Sequence, residues 1–177
     1  YYLNNNSLYK NAKIPYCGYK ENVVYEKDFL IKKSKTYSIS EIDLEFIAEK
    51  ISKGKIVAVS RGKSEFGARA LGNRSFFIDP TKSEAKNKLN IAVKNRDFWM
   101  PFAPVILDKY IHEYINEDDI ENTRLNRFMT SIFRTKSAGV ADLPSALHSS
   151  DQTCRAQVLI KEDNPFVYSL IEHFSLL

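Results

Sequence analysis

The chain has 177 residues, 27% of them charged and 44% in the hydrophobic set, so it is neither a disordered tail nor a fibre. Its longest apolar run, residues 56–59, is far shorter than the roughly 18 residues of a membrane helix, and we expect no membrane partner. Its two cysteines, Cys17 and Cys154, cannot build a disulfide framework, and no secretory signal pattern opens the chain. We therefore expect a cytoplasmic protein. Because residue 1 is Tyr rather than Met, we also expect a piece of a longer one.

The positive charge is concentrated in one segment. The whole chain carries 26 basic and 22 acidic residues, a net charge of +4. Nine of the basic residues but only four of the acidic ones lie between Ser60 and Met100. This clustering indicates a localised anion site more than a diffuse surface for nucleic acid.

Hydrophobic periodicity and turn residues divide the chain into alternating strands and helices. Residues 1–37, rich in Asn, Tyr and Lys, are predicted to form an irregular arm or interdomain linker. Ser40 offers a helix N-cap, Gly54 a helix end, and Asn164-Pro165 the cap of the last helix. The elements predicted next are, in chain order, a helix over 41–53, strands over 55–60 and 75–79, a helix over 80–92, a strand over 102–107, a helix over 108–115, strands over 127–134 and 153–160, and a helix over 166–174. Residues 116–126 and 135–150 are predicted to be loops.

Two elements carry further expectations. The strand over 55–60 has β-branched residues without polar alternation, which predicts burial on both faces. The helix over 80–92 turns Ala85 and Leu89 inward and Lys86 toward solvent. The order of elements predicts an α/β or mixed fold around one twisted sheet.

The loop that begins at Arg61 joins glycine-punctuated backbone to several cationic side chains. Its glycines are at 62, 67 and 72, and they fit neither the P-loop nor the GxGxxG pattern. Glycine lets backbone approach a ligand, and guanidinium groups suit phosphate and carboxylate oxygens. The loop is therefore a candidate anion site, and a surface loop with solvated charges is the alternative.

Two more segments contain candidate functional residues. Lys94 and Arg96 alternate by two, so on an extended segment they face one side, where two cations repel unless an anion lies between them. Two exposed charges on an edge strand are the alternative. Asp151 and Arg155 lie at a strand entrance, as part of a site or as a local salt bridge. Cys154 is interpreted as a small core residue, and three scattered histidines predict no intrinsic metal site.

Together these segments resemble the C-terminal, YrdC-like domain of the NodU/CmcH-type O-carbamoyltransferases. The matching segments are EFGARALGNRS at 65–75, DP at 79–80, LNIAVKNR at 89–96, PFAP at 101–104 and DQTCRAQ at 151–157. They stand in the family's order, and the resemblance spans about residues 54–175. Gln152 stands where the family commonly has glycine, and His148 is one position further from Asp151 than in the commoner form.

The resemblance implies an α/β fold with a YrdC-like twisted open mixed sheet flanked by helices, formed by residues 38–177. It implies that the chain binds carbamoyl phosphate and ATP, the latter with Mg²⁺, and forms carbamoyl-adenylate. An N-terminal, ASKHA-type domain of the same protein would then pass the carbamoyl group to an acceptor hydroxyl. No metal site intrinsic to this chain is implied.

The resemblance also implies residue roles, catalytic for Lys94 and Arg96 and supporting for Glu65, which would orient an arginine, and for Asp151. The residues implied to bind ATP or carbamoyl phosphate are Lys63, Arg69, Asn73, Arg74, Ser75, Asn90 and Arg155. One alternative is an RNA-binding YrdC-like module without catalysis, which the interspersed acids argue against. A docking scaffold without ligand is the other.

Overall fold

The computed structural model describes residues 16–18, 31–32, 34–38, 40–95, 97, 99–120 and 125–177. Its α-helices are α1 (Leu44–Ser52), α2 (Ala85–Leu89), α3 (Ile111–Tyr114), α4 (Ser137–Asp142) and α5 (Pro165–Phe174). Its strands are β1 (Val57–Ser60), β2 (Arg74–Phe77), β3 (Val105–Leu107), β4 (Phe133–Arg134), β5 (Thr153–Cys154) and β6 (Gln157–Leu159). Helices and strands are interspersed, so the predicted α/β class is confirmed.

Within the described residues, the strands form three two-stranded ladders, and the prediction of one twisted sheet is wrong. β1 pairs with β2 and β4 with β5, both antiparallel, whereas β3 and β6 are parallel. The residues of β1 alternate between half-buried and exposed, so the predicted burial on both faces is also wrong. An antiparallel hairpin can leave one face to solvent, which a strand inside a parallel sheet cannot.

Helix α1 begins later than predicted. Asp43, not Ser40, is its N-cap, and the Asp43 carboxylate accepts a hydrogen bond from the backbone N–H of Phe46 at 2.8 Å. Gly54, at φ +68°, follows the helix end as predicted, in the left-handed conformation that glycine adopts without steric cost.

Helix α5 has the predicted cap. Asn164 Oδ1 accepts from the backbone N–H of Val167 at 3.1 Å, and Pro165 occupies the first helical position. α5 buries Leu170 against Ile47 of α1, and these helices cover one side of the β1–β2 hairpin.

The region after residue 120 departs most from prediction. The strand predicted over 127–134 is a 3₁₀ turn, Leu125–Phe128, with only Phe133–Arg134 extended. The loop predicted over 135–150 contains α4, which lies close to α3 because Gly139 has no side chain. A Cβ at Gly139 would lie 2.7 Å from the carbonyl oxygen of Tyr114. The strand predicted over 153–160 is divided into β5 and β6.

The largest core cluster lies where α3 and α4 pack on β4, β5 and β6. Ile115, Phe133 and Ala156 are each fully buried there. Burial of a side chain the size of Phe133 contributes roughly 1.5–3 kcal/mol. In the part of the chain that the structure describes, no helix combines the length and apolarity that a membrane span requires.

Candidate anion-binding site

The glycine-punctuated loop connects β1 to β2. A backbone hydrogen bond from the N–H of Arg61 to the carbonyl of Asn73, 3.0 Å long, closes it at its base. Gly67 and Gly72, at φ +125° and +114°, adopt conformations that side-chain-bearing residues avoid. Gly72 has a second constraint, because a Cβ there would lie 2.8 Å from Asn164 Nδ2. The loop geometry therefore depends on glycine at this position.

A single carboxylate oxygen fixes the end of the loop. Glu65 Oε1 accepts from the backbone N–H groups of Leu71 and Asn73, both at 2.8 Å, and from that of Arg74 at 3.2 Å. Hydrogen bonds to an ionised acceptor are stronger than neutral ones, so three converging donors hold this backbone firmly. Glu65 thus binds the backbone of Arg74, whereas the predicted role was to orient an arginine side chain.

Two residues that were predicted to contact the ligand, Asn73 and Arg74, form hydrogen bonds within the same loop. Asn73 Nδ2 donates to the carbonyl of Lys63 at 2.8 Å, and Asn73 Oδ1 accepts from Asn164 Nδ2 at 3.1 Å. The guanidinium of Arg74 donates from Nη1 to the carbonyl of Arg61 at 2.7 Å. Its Nη2 donates to a second loop carbonyl, that of residue 62, at 3.2 Å. Both side chains are therefore partly occupied by internal partners.

A short stretch of the N-terminal region lies against the loop. The hydroxyl of Tyr16 donates to the carbonyl of Leu71 at 2.8 Å and accepts from Asn164 Nδ2 at 3.1 Å. The backbone N–H of Gly18 donates to the carbonyl of Ser64 at 3.0 Å. Burial raises the pKa of Tyr16 to about 12, so its hydroxyl keeps its proton and its donor role at neutral pH.

A cavity of about 960 Å³ lies beside the loop. Among the described residues that line it, four are cationic, Arg69, Arg74, Lys86 and Arg155, and one, Asp142, is acidic. A lining with this excess of positive charge favours anions. A second hollow of about 440 Å³ lies at the start of α1, and no predicted site residue lines it.

The structure brings four of the predicted site residues to this cavity: Arg69, Arg74, Ser75 and Arg155. Lys86 was missed, since the helical pattern had placed it toward solvent. α2 is short and packs Leu89 on the cavity, and Lys86, three residues earlier, therefore lies on the same face. In the sequence, this i, i+3 spacing from Leu89 is the one feature that indicates the position of Lys86.

Of the other predicted residues that the structure describes, Lys63, Glu65, Asn73, Asn90 and Asp151 do not line the cavity. Lys63 and Asp151 are exposed, and Asn90 is buried with neither amide atom hydrogen-bonded in the described structure. Asn90 begins a π-helical turn, Asn90–Lys94, so the extended conformation predicted at Lys94 is wrong. Arg96 and the side chain of Lys94 lie outside the described residues.

A tight turn before β5 forms another wall of the cavity. Asp151 Oδ1 accepts from the backbone N–H and the hydroxyl of Thr153, at 3.0 and 2.8 Å, which lowers the pKa of Asp151. Gln152 lies in the left-handed region, at φ +56°, which explains why glycine suits this position. Cys154 follows, and its burial raises the pKa of the thiol to about 12, in agreement with a core role.

Comparison with known proteins identifies the family. Residues 48–177 match the family described as Carbamoyltransferase C-terminus. The chain belongs to this family. The resemblance to NodU/CmcH-type carbamoyltransferases is thereby confirmed.

Relatives of this carbamoyltransferase C-terminus cover most of the chain. It is 39% identical to the uncharacterized protein MJ1058 of Methanocaldococcus jannaschii over 176 residues, 95% of the chain and 27% of that protein. It is 35% identical to the nodulation protein NolO of Bradyrhizobium diazoefficiens over 127 residues, 72% of the chain and 23% of NolO. It is 30% identical to the 3'-hydroxymethylcephem-O-carbamoyltransferase of Streptomyces clavuligerus over 138 residues, 76% of the chain and 24% of that enzyme. The chain thus spans about a quarter of the length of these curated relatives.

Proposed function

We propose that the chain binds ATP and carbamoyl phosphate in the cationic cavity and forms carbamoyl-adenylate. A preceding, ASKHA-type region of the full-length protein would pass the carbamoyl group to an acceptor hydroxyl in the cytoplasm. That residues 38–177 form one YrdC-like domain, with its described strands in three ladders and not in one sheet, belongs to the same proposal. Family membership supports carbamoyl transfer, and the name of the Streptomyces relative supports an oxygen acceptor.

The observation that carries the proposal is that, in the part of the chain that the structure describes, one cavity is lined by four cationic residues and a single acidic one. Arg69, Lys86 and Arg155 have no ion-pair partner among the described residues, so their charge is available to a ligand. ATP and carbamoyl phosphate are both anionic and repel each other. Cations fixed in advance around both ligands lower this repulsion without reorganisation during the reaction.

Carbamoyl-adenylate forms from these substrates in two bond changes. Water first cleaves the phosphate from carbamoyl phosphate, which releases inorganic phosphate and leaves carbamate, and a carbamate oxygen then bonds to the α-phosphorus of ATP as pyrophosphate leaves. Positioning and charge stabilisation dominate such phosphoryl chemistry. The guanidinium groups of Arg69 and Arg155 suit paired phosphate oxygens. The oxygen of Ser75 accepts from the backbone N–H of Gly72 at 2.9 Å, so its own proton is directed to another acceptor, such as a phosphate oxygen. Mg²⁺ would enter with ATP, as part of the substrate.

The catalytic roles of Lys94 and Arg96 belong to the proposal as predictions from the sequence. They follow Asn90 in one motif, and the amide of Asn90 is buried without a hydrogen-bond partner in the described structure. Such an amide costs free energy unless a ligand, water or neighbouring group satisfies it, but Asn126 is buried in the same state, so this observation alone does not indicate a ligand at the turn. The roles of Lys63 and Asp151 likewise rest on the sequence alone.

Replacement of Arg155 tests the proposal. We expect Arg155→Gln to lower pyrophosphate release from ATP plus carbamoyl phosphate about 10- to 100-fold, since one charge-assisted contact is lost. Arg134→Gln is the matched control, because Arg134 binds Asp119 on the surface and does not line the cavity. Equal pyrophosphate release in the two variants, or none in the wild type, contradicts the proposal.

The motif predictions need a separate experiment. We expect Lys94→Ala and Arg96→Ala to abolish pyrophosphate release while far-ultraviolet circular dichroism stays unchanged. ATP with carbamoyl phosphate should also raise the melting temperature of the wild type more than that of either variant. Full activity in both variants would remove their catalytic assignment and leave the cavity proposal in place.

A further inference from the structure

The side chain of Asn164 lies between the β1–β2 loop and the start of helix α5, and the residue is only 5% exposed. Its Oδ1 accepts from the backbone N–H of Val167 at 3.1 Å, which caps the helix. Its Nδ2 donates in the other direction, to the hydroxyl of Tyr16 and to Asn73 Oδ1, both at 3.1 Å. The oxygen and both hydrogens of this amide are therefore in use, and its orientation is fixed.

The amide nitrogen connects the asparagine to the end of the β1–β2 loop. Asn73 accepts from it directly. The backbone of Gly72 lies against it, because a Cβ on Gly72 would be 2.8 Å from Asn164 Nδ2. Tyr16 completes the connection, since its hydroxyl accepts from Nδ2 and donates to the carbonyl of Leu71 at 2.8 Å. Asn164 thus contacts three consecutive loop residues, two directly and one through a hydroxyl group.

The loop and the helix form two walls of the same cavity. Arg69 and Arg74, which flank the contacted segment in the sequence, line the cavity from the loop. Leu170 and Phe174 line it from α5. One buried amide therefore joins the helix of one wall to the loop that carries two cations of another. Because loss of a buried hydrogen bond costs free energy, these bonds resist movement of the loop relative to the helix.

The capping role does not by itself require asparagine. Serine, threonine and aspartate also cap helices well, but none of them combines an acceptor for the helix with two donors for the loop. We propose that Asn164 is a positioning residue for the proposed reaction, which holds the loop so that Arg69 and Arg74 are placed against the bound phosphates. This inference rests on the proposed function, because it needs a ligand in the cavity. It adds a residue outside the cavity lining that sets the geometry of the arginines.

Two substitutions separate capping from positioning. In Asn164→Ser the hydroxyl can still cap α5, but it ends one bond nearer the backbone than the amide nitrogen and is too short to donate to Asn73. Asn164→Ala removes both the cap and the donor. We expect the serine variant to melt at a higher temperature than the alanine variant. In both, kcat for pyrophosphate release from ATP plus carbamoyl phosphate should fall about tenfold per folded molecule, with less than about a threefold change in the KM for ATP.

Hydrogen exchange provides a readout that does not depend on activity. The backbone amides of residues 71–73 should exchange about tenfold faster in both variants than in the wild type, because the loop opens more often. The amides in the middle of α5 should keep their protection in Asn164→Ser, since its cap is retained. Unchanged exchange at residues 71–73 overturns the inference.

Asn126→Ser is the matched control. Asn126 is also buried, but neither of its amide atoms has a hydrogen-bond partner among the described residues, and it does not line the cavity. We expect its kcat per folded molecule to stay close to that of the wild type. If Asn164→Ser loses no more kcat than Asn126→Ser, Asn164 has only a structural role, and the inference fails while the proposed function stands. If the wild type releases no pyrophosphate, the proposed function fails and the inference fails with it.

Discussion

Removal of the Glu65 carboxylate should loosen the loop that presents the candidate ligand-binding arginines. One oxygen of Glu65 accepts from three backbone N–H groups, those of Leu71, Asn73 and Arg74, over 2.8–3.2 Å. Hydrogen bonds to charged groups contribute about 1.5–3 kcal/mol each when buried, but Glu65 is only half-buried and water can replace part of this. At about 1 kcal/mol each, Glu65→Ala should lower the free energy of unfolding by about 3 kcal/mol.

Glu65→Gln separates charge from geometry. The amide oxygen of glutamine can still accept, so we expect a smaller loss of about 1 kcal/mol. The assay is thermal or urea denaturation followed by circular dichroism, in which about 1 kcal/mol corresponds to 2–4 °C for a chain of this size. Glu84→Ala is the control, because Glu84 is exposed and the one described hydrogen-bond contact of its side chain is a 3.5 Å contact with Ser83. If Glu65→Ala is no less stable than Glu84→Ala, the loop does not depend on this carboxylate.

Three further outcomes can be checked with the same protein. Gln152→Gly should raise the free energy of unfolding by about 0.5–1 kcal/mol, because it relieves a left-handed backbone (φ +56°), and an unchanged urea midpoint would argue against that strain. Tyr16→Phe should cost about 1–2 kcal/mol in the same denaturation assay, because the buried carbonyl of Leu71 loses a donor, and a neutral effect would show that the contact does not hold the loop. Ellman's reagent should titrate the exposed Cys17 quickly and Cys154 only after unfolding, and two fast thiols in the native protein would contradict the raised pKa of Cys154.

The parts of the fold that the sequence predicted are those specified by nearby residues. The Gly54 helix end and the Asn164-Pro165 helix start are signals within one helical turn, and both were confirmed. The same holds for the helical segment over 108–115, which the structure divides into a 3₁₀ turn and α3. Capping and local periodicity need no knowledge of tertiary structure.

Other features depend on contacts between distant residues. The parallel ladder joins Val105 to Gln157, a pairing that no local pattern specifies. The small and polar composition of α4 predicts a loop, whereas its helix forms where Gly139 permits close approach to α3. Burial on both faces was predicted for β1 from composition alone, although the identity of its partner strand decides that burial.

The predicted site residues fall into two groups, those that hold the loop and those that line the cavity, and residue type does not distinguish them. Asn73 and Arg74 have side chains suited to ligand contacts, yet both donate hydrogen bonds to carbonyl groups of the loop. Arg69 and Arg155, in contrast, line the cavity and have no ion-pair partner in the described structure. Most partners of these two side chains, Asn73 and Arg74, are backbone carbonyls, which every residue possesses, so the spacing of a motif does not distinguish a side chain that holds the loop from one that contacts a ligand. Under the proposed function both groups are needed, since a cation stabilises developing charge best when the loop that carries it does not move during the reaction. The same segment therefore supplies both the arginine that faces the cavity and the carboxylate, Glu65, that holds its backbone in place.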